Sequence, residues 1–112
     1  MAEKKNSDFV EMGVTSHGFS CGSFMDFYGR PCSVQKSSLA TADAIWLGID
    51  DADPKVLHGD ARKLGIASDA TSGWVPYPIP AEVSLTTRMH LSRDQVARLL
   101  PVLERFVATG EI

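Results

Sequence analysis

Residues 84–110 read SLTTRMHLSRDQVARLLPVLERFVATG and contain a strand signal followed directly by a helix signal. Up to position 91 the side chains alternate between two faces, as they do in a strand with one buried side. One face consists of Leu85, Thr87, Met89 and Leu91, and the other consists of Thr86, Arg88 and His90. This alternation predicts a strand over residues 84–91.

The helix signal has a marked beginning and a marked end. Ser92 and Gln95 have the spacing of a capping box, and Gly110 is typical of a helix stop. Between them, apolar residues recur at helical spacing: Val96, Leu99, Leu100, Leu103, Phe106 and Val107. Pro101 lies inside the helix and removes the bond to the Ala97 carbonyl, so we expect a kink there.

Two shorter elements precede this pair. Residues 44–49, AIWLGI, form an apolar run typical of a short buried strand, with Trp46 on the face opposite to the isoleucines. Asp53 suits a helix N-cap and Pro54 suits the first helical position. We therefore predict a short helix from there to Leu64.

The earliest strand pattern is aromatic-rich and leads into a hairpin. Residues 19–28, FSCGSFMDFY, suit a strand, and residues 29–30, Gly-Arg, suit a two-residue type II′ turn. That turn would place Phe27 opposite Cys32 in the next strand. Cys21 would then lie too far from Cys32 to form a disulfide within the hairpin, so we expect two free thiols.

Together these elements predict an α+β fold, in which a small, mostly antiparallel sheet of about four strands has the C-terminal helix packed on one face. Residues 18–112 would form this single domain, because a chain of 112 residues is too short for two good cores. Residues 1–17 are polar and aperiodic, and we predict a mobile arm there. Residues 66–83, which contain the sequence PYPIP, are predicted to form a long irregular loop.

Composition and charge exclude several classes of protein. The net charge is −3 and the lysines and arginines are scattered, whereas a nucleic-acid binder needs a clustered basic face. No apolar run is long enough to span a bilayer, and the N-terminus lacks the apolar segment of a secretory signal. We therefore expect a cytoplasmic protein with no membrane or nucleic-acid partner.

The catalytic and metal-binding patterns in the sequence are all incomplete. Residues 18–22 match G-x-S-x-G, but a strand pattern follows them, where a nucleophile elbow needs a helix. The cysteines and histidines are dispersed and lack the paired spacing of a zinc site. Asp50, Asp51 and Asp53 miss the spacing of a calcium loop. We predict no catalytic residue, no metal site and no cofactor, and hence a protein that is not an enzyme.

What remains is a set of side chains suited to recognition. Tryptophan, tyrosine, arginine and histidine are enriched among interface anchors or suit polar contacts, and here they are Trp46, Trp74, Tyr77, Arg30, Arg88 and His90. A polar run over residues 32–41 could line a pocket through Ser33, Gln35 and Lys36. The alternatives are a solvated hairpin edge for the polar run, and a core or self-association role for the tryptophans.

Three stretches of the chain resemble small uncharacterised proteins of tailed bacteriophages and prophages. They are FMDFYGRPCSVQKSSLAT at 24–41, AIWLGIDDADP at 44–54, and GWVPYPIPAEVSLTTRMHLSRDQVARLLPVLERFVATGEI at 73–112. The resemblance brings no known activity with it, so it assigns no catalytic residue. It implies a phage context and the host cytoplasm, where short acidic accessory proteins often act against host defences.

Two functional hypotheses follow. In the first, the chain is a phage-type accessory protein that binds and inhibits a host or phage protein and thereby blocks host immunity, with the tryptophans and Tyr77 as anchors. In the alternative, it is a sponge that binds a nucleotide-like immune signal through the polar residues. We also expect a homodimer with Trp46 or Trp74 near the interface, because one face of the sheet has no cover.

Overall fold

The computed structural model describes residues 8–112, which form two compact units. The first unit runs to Asp50 and resumes at Thr87–Ile112, and the second consists of Asp51–Thr86. The strands are β1 (Glu11–Val14), β2 (Ser20–Met25), β3 (Pro31–Lys36), β4 (Ala44–Ile49), β5 (Lys55–Leu57), β6 (Trp74–Pro76) and β7 (Arg88–Ser92). The helices are α1 (His58–Lys63) and α2 (Arg93–Thr109).

The first unit is an antiparallel sheet of five strands in the order β1-β2-β3-β4-β7, followed by the C-terminal helix α2. This arrangement confirms the predicted α+β fold. The fifth strand is β1, which lies within residues 1–17, the segment predicted as an arm, and pairs with β2. Residues 1–7 of that arm lie outside the described residues.

Strand alternation gives the sheet two chemically different faces. Residues opposite each other on paired strands point to the same side of a sheet, so the register assigns each one to a face. The apolar face contains Phe24, Cys32, Val34, Ile45, Leu47, Ile49, Met89 and Leu91. The polar face contains Ser23, Cys21, Ser33, Gln35, Trp46, Gly48, Arg88 and His90.

The β2–β3 hairpin differs from the predicted type II′ turn. Phe24, not Phe27, lies opposite Cys32, so the pairing is displaced by three residues from the predicted register. The loop is longer because the Asp26 carboxylate accepts hydrogen bonds from the backbone N–H groups of Tyr28 and Arg30, each at 2.9 Å. Such an aspartate-centred turn competes with the two-residue turn. The predicted register would have paired Phe24 with Gln35 on the polar face. Because the displacement is odd, Phe24 lies on the apolar face.

Helix α2 begins and ends where its sequence indicates. The Ser92 hydroxyl accepts the Gln95 N–H at 3.1 Å, and the Gln95 side chain accepts the Ser92 N–H at 2.9 Å, which completes the capping box. Gly110 ends the helix in the left-handed conformation at φ 77°, and Pro101 lies inside. The strand before it is shorter than predicted, since residues 84–87 precede β7 and are not part of it.

The apolar stripe of α2 is only partly covered. Its first half borders an open groove, which Val96 and Leu100 line together with Ile45 and Leu91 of the apolar face. Further along, Leu103 is 48% exposed and Phe106 is 55% exposed. The helical spacing therefore identified an apolar stripe correctly, but within the described residues the sheet does not bury the second half of it.

The second unit is a small sheet of β5 and β6 with helix α1. The predicted helix from Asp53 is wrong at its start, because residues 55–57 form β5 and the helix begins at His58. Pairing of Val56 with the buried Val75 outweighs the capping signal. Residues 66–83 are irregular as predicted except for β6, and the Tyr77 N–H donates to the Pro54 carbonyl at 2.9 Å.

The capping box of α2 gives a direct test of this fold. Replacing Ser92 by alanine (Ser92→Ala) should lower the free energy of unfolding by about 1 kcal/mol, because the Gln95 N–H loses its acceptor. Chemical denaturation measures this change. Ser38→Ala is the control, since the exposed Ser38 side chain makes no hydrogen bond within the described residues. Equal midpoints for the two variants would contradict the capping assignment.

Candidate functional site

The polar face of the first unit brings together five of the residues predicted to bind a partner. They lie in two rows across β3, β4 and β7. One row is Ser33, Gly48 and Arg88, and the other is Gln35, Trp46 and His90. We call these six residues the recognition face.

Arg88 connects the two outer strands of this face. Its Nη1 donates to the Ser33 hydroxyl at 3.2 Å and to the Gln35 side-chain oxygen at 3.0 Å, although β4 lies between β7 and β3. Gly48 makes this crossing possible, because it occupies the position between Arg88 and Ser33 and has no side chain. A β-carbon on Gly48 would lie 2.9 Å from the Thr87 carbonyl oxygen and 3.0 Å from the Arg88 α-carbon.

Asp50 extends this network beyond the end of β4. Its carboxylate accepts a hydrogen bond from the Ser33 hydroxyl at 2.7 Å, and its backbone carbonyl accepts one from the Thr87 hydroxyl at 3.4 Å. Ser33 is buried, and its hydroxyl donates to Asp50 while it accepts from Arg88. The network therefore fixes a cation and an anion at the same edge of the face.

The second row is organised by aromatic stacking. The rings of Trp46 and His90 lie 4.0 Å apart at an interplanar angle of 13°. The Arg88 guanidinium carbon lies 5.8 Å from the Trp46 ring centre, which is within the range of a cation–π contact. His90 Nε2 lies 2.9 Å from the buried Ser37 hydroxyl, a contact that sets the plane of the imidazole.

These contacts fix the side chains at a surface that is still accessible. His90 is exposed, and Trp46, Gln35 and Arg88 are partly exposed. Within residues 8–112 only Nη1 of Arg88 donates hydrogen bonds, so its Nε and Nη2 groups remain as donors for a bound group. The face can bind a group that offers a carboxylate or another anion to Arg88 and a flat surface to the aromatic pair.

The other predicted binding residues lie elsewhere. Lys36 is on the apolar face, where its amino group lies 3.5 Å from the Asp43 carboxylate. Arg30 lies in the β2–β3 turn. Trp74, which is 65% exposed, and Tyr77 belong to the second unit.

Sequence reasoning missed Gly48, Asp50 and Ser37 as members of this site. The sequence pattern presents Asp50 only as part of an incomplete calcium loop, whereas its carboxylate accepts a hydrogen bond from Ser33. A usable signal was the glycine within the apolar run AIWLGI, since a glycine inside a strand often marks a close approach of another group. Ser37 lies in the polar run over residues 32–41, which was predicted to line a pocket. Its contact with His90 depends on the order of the strands.

The two cysteines lie on opposite faces of the sheet, and both are free thiols. Burial raises the pKa of the Cys32 thiol, and the carboxylates of Asp26 and Asp50 raise it further. Cys32 is only 6% exposed, and its sulfur donates weakly to the Arg30 carbonyl at 3.4 Å. A thiol that remains protonated is a poor nucleophile, so Cys32 has the properties of a small apolar residue.

No protein-family model, curated protein or solved structure matches the chain. Residues 8–112 contain no group of three or more His, Cys, Asp or Glu side chains that could hold a metal ion. Within the same range, no helix is both long and apolar enough to cross a membrane. The resemblance to phage proteins stays a prediction.

Because Arg88 crosses over Gly48, we expect that adding a single methyl group at Gly48 destabilises the fold. Gly48→Ala should lower the free energy of unfolding by about 1–3 kcal/mol, because the β-carbon meets backbone atoms and φ is 150°. Gly13→Ala in β1 is the matched control, since a β-carbon there has no neighbour within 4 Å. Thermal unfolding of both variants measures the difference, and an unchanged midpoint for Gly48→Ala would refute the close approach.

The thiol environments predict unequal reactivity. Under native conditions at neutral pH, iodoacetamide should modify Cys21 before Cys32, because Cys32 is more buried and its raised pKa keeps it protonated. Mass spectrometry after digestion measures both rates. In Cys21→Ser only the slow reaction should remain, and a fast reaction in that variant would show that Cys32 is accessible.

Proposed function

We propose that the protein is a non-enzymatic binding protein whose recognition face binds and inhibits a partner protein. The observation that supports this function most directly is the ordered cluster of Arg88, Trp46 and His90 at an accessible surface. Arginine and tryptophan are two of the residue types that most often dominate the energy of protein interfaces. Here both are held in place before any partner arrives.

Preorganisation is what makes this cluster suited to binding. Association normally costs about 0.5–1.5 kcal/mol for each flexible side chain that becomes ordered. Arg88 is already fixed by Ser33 and Gln35, and His90 is already fixed by Trp46 and Ser37. Binding of a partner therefore costs less conformational entropy, because the fold already holds these side chains in place.

The chemistry of the face indicates what the partner offers. Arg88 has donors beyond Nη1 that suit a carboxylate, and the neighbouring Asp50 carboxylate suits a lysine or arginine. A partner with an acidic and a basic side chain on either side of a flat apolar group would match all three features. This combination is common on protein surfaces and disfavours binding of nucleic acid, whose charge is of one sign.

The biological setting of the proposal comes from the sequence resemblance. If the chain is a phage accessory protein, the partner is a host or phage protein in the host cytoplasm, and a host defence protein is the target we propose. Inhibition would be steric, because the proposal assigns no catalytic group to the face. The partner would be blocked by occupation of its own functional surface.

A nucleotide sponge is the weaker alternative on this geometry. Lys36, which was predicted to line the pocket of the sponge, lies on the opposite side of the sheet and pairs with Asp43. His90 at 4.0 Å already covers one face of the Trp46 ring, which reduces the surface on which a base could stack. The recognition face thus offers a nucleotide fewer charges and less stacking surface than the sequence suggested.

The recognition face is tested by capturing a partner with the unmodified protein and comparing how tightly variants bind it. Immobilised protein is incubated with bacterial lysate, and the bound protein is identified and then titrated in purified form. His90→Ala should weaken its binding at least tenfold, because the imidazole contact and the support of Trp46 are lost. Met89→Ala is the matched control, since Met89 is the preceding residue of β7 and lies on the apolar face.

Equal losses from His90→Ala and Met89→Ala would overturn the assignment of this face. Arg88→Lys provides a second probe, because lysine keeps the charge and loses the fork. Thermal stabilisation of the unmodified protein by a nucleotide, without capture of any protein, would favour the sponge over the inhibitor.

A further inference from the structure

We propose that the partner protein adds an extended strand to the outer edge of β7, with an acidic side chain opposite Arg88. This inference rests on the proposed function, because it states how the partner of the recognition face is held. The side chains of Arg88 and His90 belong to that face, and the backbone groups of the same two residues bind the added strand.

The strand β7 is the last strand of the five-stranded sheet, and within residues 8–112 it pairs with β4 alone. The outer side of an edge strand has a row of backbone N–H and C=O groups that can pair with another chain. The hydrogen-bond pattern of the sheet identifies the residues that supply this row. In an antiparallel pair of strands, residue pairs that exchange hydrogen bonds alternate with residue pairs that do not.

Two hydrogen bonds at the ends of β4 determine this pattern. The Ser37 N–H donates to the Ala44 carbonyl at 2.9 Å, and the Asp50 N–H donates to the Pro31 carbonyl at 3.0 Å. Both bonds join residues that lie opposite each other in the register of β3 and β4. The even-numbered residues of β4 therefore direct their backbone groups toward β3, and the odd-numbered residues direct theirs toward β7.

The same alternation turns the backbone groups of Arg88 and His90 away from the sheet. Met89 and Leu91 lie opposite odd-numbered residues of β4, so they make the hydrogen bonds between these strands. The closeness of Gly48 to the Arg88 α-carbon agrees with this pattern, since residue pairs without hydrogen bonds lie closer together. In the part of the chain that the structure describes, no hydrogen bond is made by the backbone N–H and C=O groups of Arg88 and His90.

An added strand would bind both the backbone and the side chains of these residues. In the antiparallel arrangement of the rest of the sheet, two partner residues lie opposite Arg88 and His90 and exchange hydrogen bonds with them. The side chains of these two partner residues lie on the recognition face, because opposite residues point to the same side of a sheet. The partner residue between them points to the other side.

Charge determines which strand fits this edge. Nη1 of Arg88 donates to Ser33 and Gln35, so its Nε and Nη2 groups suit a carboxylate on the added strand. The sequence of β7 itself, RMHLS, contains no acidic residue. A second copy that paired β7 with β7 would therefore offer no carboxylate to Arg88 from that strand. We infer that the strand comes from a different protein.

Hydrogen exchange of the isotope-labelled full chain, followed by NMR, tests the edge assignment. In the free protein the amides of Arg88 and His90 should exchange at least about tenfold faster than those of Met89 and Leu91, which bond to β4. Equal exchange rates at these four amides would overturn the proposal. Protection of Arg88 and His90 in the free protein would also overturn it, because the edge would then already be paired.

A synthetic peptide is the probe for the added strand. It is short and capped, with threonine and one central glutamate on one face of the strand and valine on the other. It should slow exchange at Arg88 and His90, and replacing its glutamate by lysine should weaken binding at least about fivefold. A peptide that leaves both amides unprotected at millimolar concentration would overturn the strand site.

Proline variants separate the backbone contact from the side-chain contact. His90→Pro and His90→Ala both remove the imidazole, but only His90→Pro removes the outward N–H. Proline is tolerated in an edge strand where the N–H faces solvent, so His90→Pro should keep its circular dichroism spectrum. The partner captured from lysate should bind His90→Pro at least about tenfold more weakly than it binds His90→Ala.

Val14→Pro in β1 is the matched control at the other edge of the sheet. The Thr15 N–H donates to the Phe19 carbonyl at 2.8 Å, so the alternation turns the backbone groups of Val14 outward. Val14 is 70% exposed and lies outside the recognition face. This variant should bind the partner as the unmodified protein does, and a loss equal to that of His90→Pro would contradict the assignment to β7.

The outcomes distinguish this inference from the proposed function. Equal binding of the partner by His90→Pro and His90→Ala, each weaker than the unmodified protein, would support the recognition face and overturn strand addition. A captured partner that binds His90→Ala normally would contradict the proposed function, whereas protection by the peptide would still identify β7 as a strand-binding edge. If His90→Pro unfolds, the exchange measurement on the unmodified protein decides.

Discussion

The pairing of β4 with β7 is the contact on which the rest of the first unit depends. It joins residues about forty positions apart, with Trp46 opposite His90 and Gly48 opposite Arg88. This register stacks the aromatic pair and lets the arginine cross the glycine to reach β3. It also places Ser92 opposite Ala44, where α2 begins beside the apolar face. A slip of one residue would exchange the two faces and remove every one of these contacts.

The sheet separates two kinds of interaction that a small domain rarely accommodates on one surface. The polar face holds charges and aromatic rings in a hydrogen-bonded network, which gives specificity. The apolar face and α2 expose aliphatic side chains beside the Lys36–Asp43 ion pair.

Local patterns predicted the recognition site in part. Alternation over residues 84–91 correctly placed Arg88 and His90 on one side, and the run at 44–49 correctly placed Trp46 away from the isoleucines. Alternation along β3 already places Lys36 on the side opposite to Ser33 and Gln35, a consequence that the predicted pocket did not take into account. Asp50 joins the network through the pairing of β3 with β4, which no local pattern specifies.

The sequence by itself determined the fold class, the capping box and stop of α2, the positions of its apolar stripe, and the alternation of β4 and β7. Each of these depends on residues within a few positions of one another, where the periods of helix and strand are decisive. Tertiary structure alone decided the five-strand order, the replacement of a helix start by β5, the crossing of Arg88 over Gly48, and the partial exposure of α2. These features depend on which distant segments pair, and local propensity is too weak to specify that choice.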